Sequence, residues 1–81
     1  MRGMDAFQKL LDFLNRLEAN HIYFTLAHHR NEALMVCVDV PGERWEIEFF
    51  ADSHVEVEVF GAGGGIEGEH ALDRLFDRFS D

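Results

Sequence analysis

The sequence predicts an α+β fold: a four-stranded antiparallel meander with N- and C-terminal helices packed on one face, in the order α-β-β-β-β-α. Three observations predict it. Apolar residues recur with helical spacing at both ends of the chain, at Phe7, Leu10, Leu11, Leu14 and Leu17 and again at Leu72, Leu75, Phe76 and Phe79. Between these ends the apolar period drops to two, the mark of half-buried strands. Short polar or Pro-Gly turns separate the strand-like segments, with no room for helical crossovers, so neighbours must run antiparallel. At 81 residues, against a soft unit of ~150 per domain, a single domain over residues 1–81 is expected.

The first helix is expected from Asp5 to Asn20. Asp5 followed by Gln8 forms a capping-box pair, and Asn20 can take the left-handed conformation that closes a helix. From His21 to His29 the residues Ile22, Phe24 and Leu26 alternate with Tyr23, Thr25 and Ala27, and Arg30-Asn31-Glu32 supplies a turn. The second strand, Ala33 to Val40, and the third, Glu43 to Phe50, flank Pro41-Gly42. If Val40 and Glu43 face each other, paired positions sum to 83. Val38 then meets Trp45, Val36 meets Ile47 and Leu34 meets Phe49, all apolar. On the other face Asp39 meets Arg44 and Cys37 meets Glu46. A slip of one residue destroys both matches. A Pro-Gly type II turn does not share the twist of a two-residue hairpin, and a four-residue loop would keep the same register. His54 to Phe60 forms the fourth strand after the turn Ala51-Asp52-Ser53. Gly61 to Gly68 is a flexible connection, with a short extended piece at Ile66, that lets the last helix return to the sheet.

Charge narrows the function. Seven basic against sixteen acidic residues leave a formal charge of −9, which argues against nucleic acid or an anionic membrane as partner and for a basic protein. One cysteine excludes an internal disulfide, no Cys-x-x-Cys or His-x-x-x-His pair suggests zinc, and no segment suggests a cofactor. With neither an apolar signal core nor a long apolar run, a soluble cytoplasmic protein is expected.

The acids are concentrated. Glu43 to Phe60 holds six acids and one base, five of the nine net charges in eighteen residues. Glu46, Glu48, Glu56 and Glu58 share one sheet face, where like charges oppose each other across two strands and destabilise. Two readings stand: the solvated outer face of a half-buried sheet, or a docking face for a basic protein, with Phe50, Phe60, Tyr23 and Met35 as apolar contacts. Other motifs carry less. His28 and His29 are neighbours on a strand and are expected on opposite faces, not on one ion. Cys37 is a small apolar filler on the outer face. Ser53 beside His54 has no third orienting residue. Gly63-Gly64-Gly65-Ile66-Glu67-Gly68 matches G-x-G-x-x-G but follows a meander, not a βαβ unit, and its glutamates would repel phosphate. The glutamate pairs do not make a glycosidase site, because an open face offers no cleft.

The run Val40-Pro41-Gly42-Glu43-Arg44-Trp45-Glu46-Ile47-Glu48-Phe49-Phe50, continued by Val55-Glu56-Val57-Glu58 and by Leu72 to Phe76, resembles a group of small bacterial proteins. Some members of that group resemble immunity proteins encoded beside polymorphic toxins. The resemblance implies a protein inhibitor, although this chain has Asp52-Ser53 where Asp-Gly is expected. No catalytic residue is assigned. The expected function is non-enzymatic: binding, and neutralising, a basic protein such as a nuclease toxin. The alternative is a homo-oligomeric module, a homodimer through the outer face of the first two strands (Tyr23, Ala27, Met35, Cys37).

Overall fold

The computed structural model describes residues 5–61 and 65–79. Helix α1 (Ala6–Ala19) is followed by strands β1 (Phe24–Arg30), β2 (Ala33–Val40), β3 (Glu43–Phe50), β4 (Val55–Gly61) and β5 (Ile66–Glu67), and by helix α2 (Ala71–Phe79). The strands form one antiparallel sheet in the order β1-β2-β3-β4-β5. The class and the meander agree with the sequence reading. The strand count does not, because Ile66 and Glu67 pair with Glu58 and Val57 and so extend the sheet. Gly63 and Gly64 of the G-x-G-x-x-G match, and the Phe79 side chain of the predicted α2 stripe, lie outside the described residues.

The β2–β3 register is the predicted one over all eight pairs, from Ala33 opposite Phe50 to Val40 opposite Glu43. Gly42, at φ +81°, takes the positive φ that the second central residue of a type II turn has and an L-residue resists, and because Val40 pairs directly with Glu43 the connection is the two-residue one in spite of the twist mismatch. In the β3–β4 pairing Trp45 meets Val59, Ile47 meets Val57 and Phe49 meets Val55. One sheet face is therefore an apolar field. Val36, Val38, Trp45, Ile47, Phe49, Val55, Val57 and Val59 are buried there with Leu10, Phe13 and Leu17 of α1 and Ala71, Leu72, Leu75 and Phe76 of α2. Both helices thus cover the same face. Their contact with each other runs through Phe76, whose ring meets Phe13 edge-on at 5.8 Å and lies 3.9 Å beneath the Arg16 guanidinium.

Three local expectations are corrected. Phe7 is 67% exposed and Phe13 is buried in its place; the helix stripe runs Leu10-Phe13-Leu17, one step round from the predicted one. The left-handed residue closing α1 is His21 (φ 58°), not Asn20 (φ −100°). The Ile22 amide donates to the Leu17 carbonyl at 2.9 Å and that of His21 to Glu18 at 3.1 Å, the two bonds of a Schellman stop. Ile22 consequently packs under the helix end, and β1 begins at Phe24. Finally, the β1–β2 register shifts between Ala27 and Arg30, so His28 and His29 together oppose Leu34. This is a bulge of one extra residue, and it removes the strict alternation on which the opposite-face expectation for the two histidines rests.

At N-cap, Asp5 accepts the Gln8 amide at 2.8 Å, but the Gln8 side chain turns forward to Asp12, so only half of the capping box forms. Lys9 ties α1 to the β3–β4 turn by donating to the Ser53 carbonyl at 2.8 Å. Ser53 holds φ +79°, the left-handed backbone that the expected glycine would adopt more readily. Among the described residues no helix is long and apolar enough to cross a membrane.

Candidate functional site: the acidic groove on the outer sheet face

The face of the sheet turned away from the helices carries alternate residues of β3 and β4. Register makes them direct partners: Glu46 opposes Glu58 and Glu48 opposes Glu56. Like charges on adjacent rungs repel, so this ladder costs stability. It surrounds a depression of about 320 Å³ whose wall includes Arg30, Met35 and Ile66 with the four glutamates. Val57 reaches it as well, and because its side chain is buried in the core on the opposite face, it contributes backbone. The expectation of an open face without a cleft is corrected here. β5 adds a further strand beside β4, and Ile66, paired with Glu58 and so on the same face, raises a rim.

The four glutamates do not share one environment. Glu48 is 5% exposed. Its Oε2 lies 3.5 Å from Arg30 Nε, close enough for ionic attraction, yet this buried oxygen accepts no hydrogen bond. Arg30 reaches it from the end of β1 across the small Ala33, and its guanidinium lies 5.5 Å over the Phe50 ring. Arg44 Nη2 pairs with Glu46 at 3.2 Å, not with its cross-strand neighbour Asp39. Glu56 is met by His54 Nε2 at 3.2 Å. Arg30 and Arg44 therefore answer two of the four carboxylates, His54 answers a third when protonated, and Glu58 keeps the groove net negative.

Not all eight predicted contact residues come together. Glu46, Glu48, Glu56, Glu58 and Met35 do. Phe50 is 6% exposed, held in a parallel stack with His54 at 4.2 Å, so it supports the groove's end and offers little area to a partner. Phe60 stands exposed opposite Arg44, beyond the rim. Tyr23, 72% exposed, borders a separate depression with Asp39 and Pro41 near the β2–β3 turn. Arg30 and Ile66 are groove residues that sequence reasoning missed. Periodicity put Arg30 in a turn and Ile66 in a linker, and only the sheet brings both to the glutamates.

His54 bridges two carboxylates. Its Nδ1 meets Asp52 Oδ1, which also accepts the His54 amide at 3.0 Å. Hydrogen bonding to Asp52 first, then to Glu56, raises the imidazole pKa above 6.5. Asp52 is held below its ordinary 3.8 by the His54 amide first and then by the His54 ring. For a raised pKa the sign is fixed: the protonated form is favoured in the folded state, so the contribution is fully present below about pH 6.5 and lost as pH rises through the raised value. Asp52 acts oppositely, losing its contribution only as pH falls below about 3.8. Comparing the chain with His54→Gln, we expect the stability gap to be wider near about pH 6 than near about pH 8. Denaturant midpoints at the two pH values check this, and a gap that widens with pH contradicts the assignment.

The arrangement can attract and orient a cation. Among the described residues no three His, Cys, Asp or Glu converge so as to hold a metal ion. In comparisons with known proteins the chain matches no family model, no curated protein and no solved structure.

Proposed function

We propose that the protein is a non-enzymatic binding domain that docks a basic protein on its acidic outer face, and that neutralising such a partner, for example a basic toxin, is its role. The observation that carries this reading is the pair of glutamate rungs, Glu46–Glu58 and Glu48–Glu56. Facing carboxylates weaken the sheet that bears them, while the same charges, gathered around one depression, accelerate and orient encounter with a positive surface. A face needing only solubility would be served as well by alternating signs.

The test separates binding from folding. Glu48 is excluded from the variant, because neutralising it strands the charge of Arg30 beside a buried group. Glu46, Glu56 and Glu58 changed together to Gln should leave the domain as stable as the parent, or slightly more so, since cross-strand repulsion falls. The variant should capture the basic partner more slowly and with a shallower dependence on salt. Association rates at two ionic strengths decide it. Equal rates and equal salt dependence for parent and variant defeat the docking reading.

A second reading, self-association, draws on a different patch. β1 has a hydrogen-bonded neighbour on one side only, and beside this open edge Leu26 and Phe7 are exposed. Edges of this kind pair with copies of themselves unless protected. Sedimentation equilibrium distinguishes it: a dimer that persists in the triple Gln variant favours this edge over the acidic face.

A further inference from the structure

We infer that the acidic groove is an arginine-receiving slot that the chain's own Arg30 partly occupies, and that a partner's guanidinium enters beside or in place of Arg30 to engage Glu48, Glu56 and Glu58. The inference rests on the reading that the outer face docks a basic protein, and it specifies what that protein must present.

The orphaned oxygen of Glu48 is the point of departure. A carboxylate more than nine-tenths buried ordinarily has its oxygens hydrogen-bonded, because desolvation without a partner is costly. Glu48 Oε2 has an ionic neighbour at 3.5 Å and no hydrogen bond. Arg30 approaches from the sheet edge and stays more than half exposed, so it half-fills a position that a better-placed donor could complete. The charge is unbalanced in the same direction, since beyond the carboxylates answered by Arg30 and Arg44 Glu56 has only the His54 ring beside it and Glu58 has no ion-pair partner among the described residues.

Shape selects the kind of cation. The depression, about 320 Å³, sits at the lower limit of the ~300–1,000 Å³ of small-ligand sites. It is walled by two glutamate rungs and by the apolar side chains of Met35 and Ile66. A guanidinium is planar, weakly hydrated and offers five donors in a fixed fork, so it can bridge facing carboxylates while its faces and stem lie on apolar groups. An ammonium is a strongly hydrated point charge that makes poor use of such walls. A divalent metal lacks a converging ligand set among the described residues.

The experiment titrates the full chain with acetylated, amidated tri-arginine and tri-lysine peptides and with calcium chloride, following backbone amides by NMR. Tri-arginine should bind at least about threefold more tightly than tri-lysine, with shifts centred on Met35, Glu48, Glu56, Glu58 and Ile66. Arg30→Gln should tighten tri-arginine by about threefold. The charge-matched Arg16→Gln, on α1 and away from the groove, should do less. Glu58→Gln should abolish the preference for arginine, with amide dispersion showing an unchanged fold. Equal affinity for the two peptides, shifts spread over the whole acidic surface, equal effects of Arg30→Gln and Arg16→Gln, or calcium outcompeting tri-arginine at these amides would each overturn the slot. If the slot fails while the triple Gln variant still loses salt-sensitive docking, the broader reading stands. If the variant docks like the parent, both fall.

Discussion

Trp45→Ala is expected to cost about 3 to 5 kcal/mol, a large share of the ~4 to 12 kcal/mol available to a chain of this length. The indole is fully buried at the centre of the apolar field, between Val38 and Val59. It also has a polar duty. Nε1 donates to Glu43 Oε1 at 3.0 Å, and Glu43 Oε2 accepts from Arg78 at 2.9 Å, so the ring links β3 to α2 through a carboxylate that is almost wholly buried. Hydrogen bonds from Arg78 and then from Trp45 hold Glu43 below its usual 4.5. Its contribution is therefore present above about pH 4.5 and fades as pH falls through the lowered value. Alanine removes the ring, opens a cavity and takes one donor from Glu43. Trp45→Phe, which keeps most of the volume and loses only the donor, should cost far less, and Cys37→Ser, half-buried on the outer face, should be mild. Denaturant midpoints rank the three. Should Cys37→Ser be the worst, the assignment of sheet faces is inverted.

Ending the chain after Gly65 is expected to unfold it. Leu72, Leu75 and Phe76 leave with α2, each a buried side chain whose removal from water contributes about 1.5 to 3 kcal/mol. The summed loss is of the order of the whole stability. Three polar ties to the remaining chain are lost as well, Arg78 to Glu43, Lys9 to Glu69 at 3.2 Å and Arg16 to Asp73 at 3.9 Å, and β5 leaves together with the two-bond pairing of Glu67 with Arg74. What remains would expose the apolar sheet face over Trp45, Val57 and Val59. Far-ultraviolet circular dichroism and a thermal melt check the expectation; a soluble fragment with a cooperative transition would contradict it and free α2 for another role.

The central hairpin was legible because two independent patterns agreed on it. Three apolar pairs on one face and Asp39 opposite Arg44 on the other admitted a single register, and the structure has that register throughout. Legibility failed where the deciding partner lay far along the chain. Phe7 and Phe13 both fit a helical stripe; which is buried depends on Phe49 and Phe76, whose rings meet Phe13. Two residues between glycines are too few to show a strand period, so periodicity does not reveal β5 beyond a short extended piece at Ile66. The bulge at His28–His29 leaves no trace in composition. Within the candidate site, the four glutamates could be assigned to one face by alternation alone. The burial of Glu48 could not, since it depends on Arg30 reaching across a small alanine, and neither could the concavity, since it depends on a strand that periodicity did not reveal.

The meander and the helical roof have opposite sequence separations, and this orders the birth of the molecule. Each strand pairs with the one just before or after it, so the sheet consists of local contacts of the kind that form quickly. The roof joins the two ends of the chain: Phe13 to Phe76, and Lys9 to Glu69. During synthesis the strands can therefore pair soon after they are made, while the core must wait for Leu72, Leu75 and Phe76 of α2, which follow every strand in chain order. Chains elongate at about 5–20 residues per second, so between the end of β4 and Phe76 a nascent copy spends on the order of a second with its apolar side half roofed. The net charge of −8 that residues 1–69 already carry in that interval (thirteen acids against five bases) holds nascent copies apart by mutual repulsion. The charge proposed to receive a partner also protects the protein from itself before it is finished.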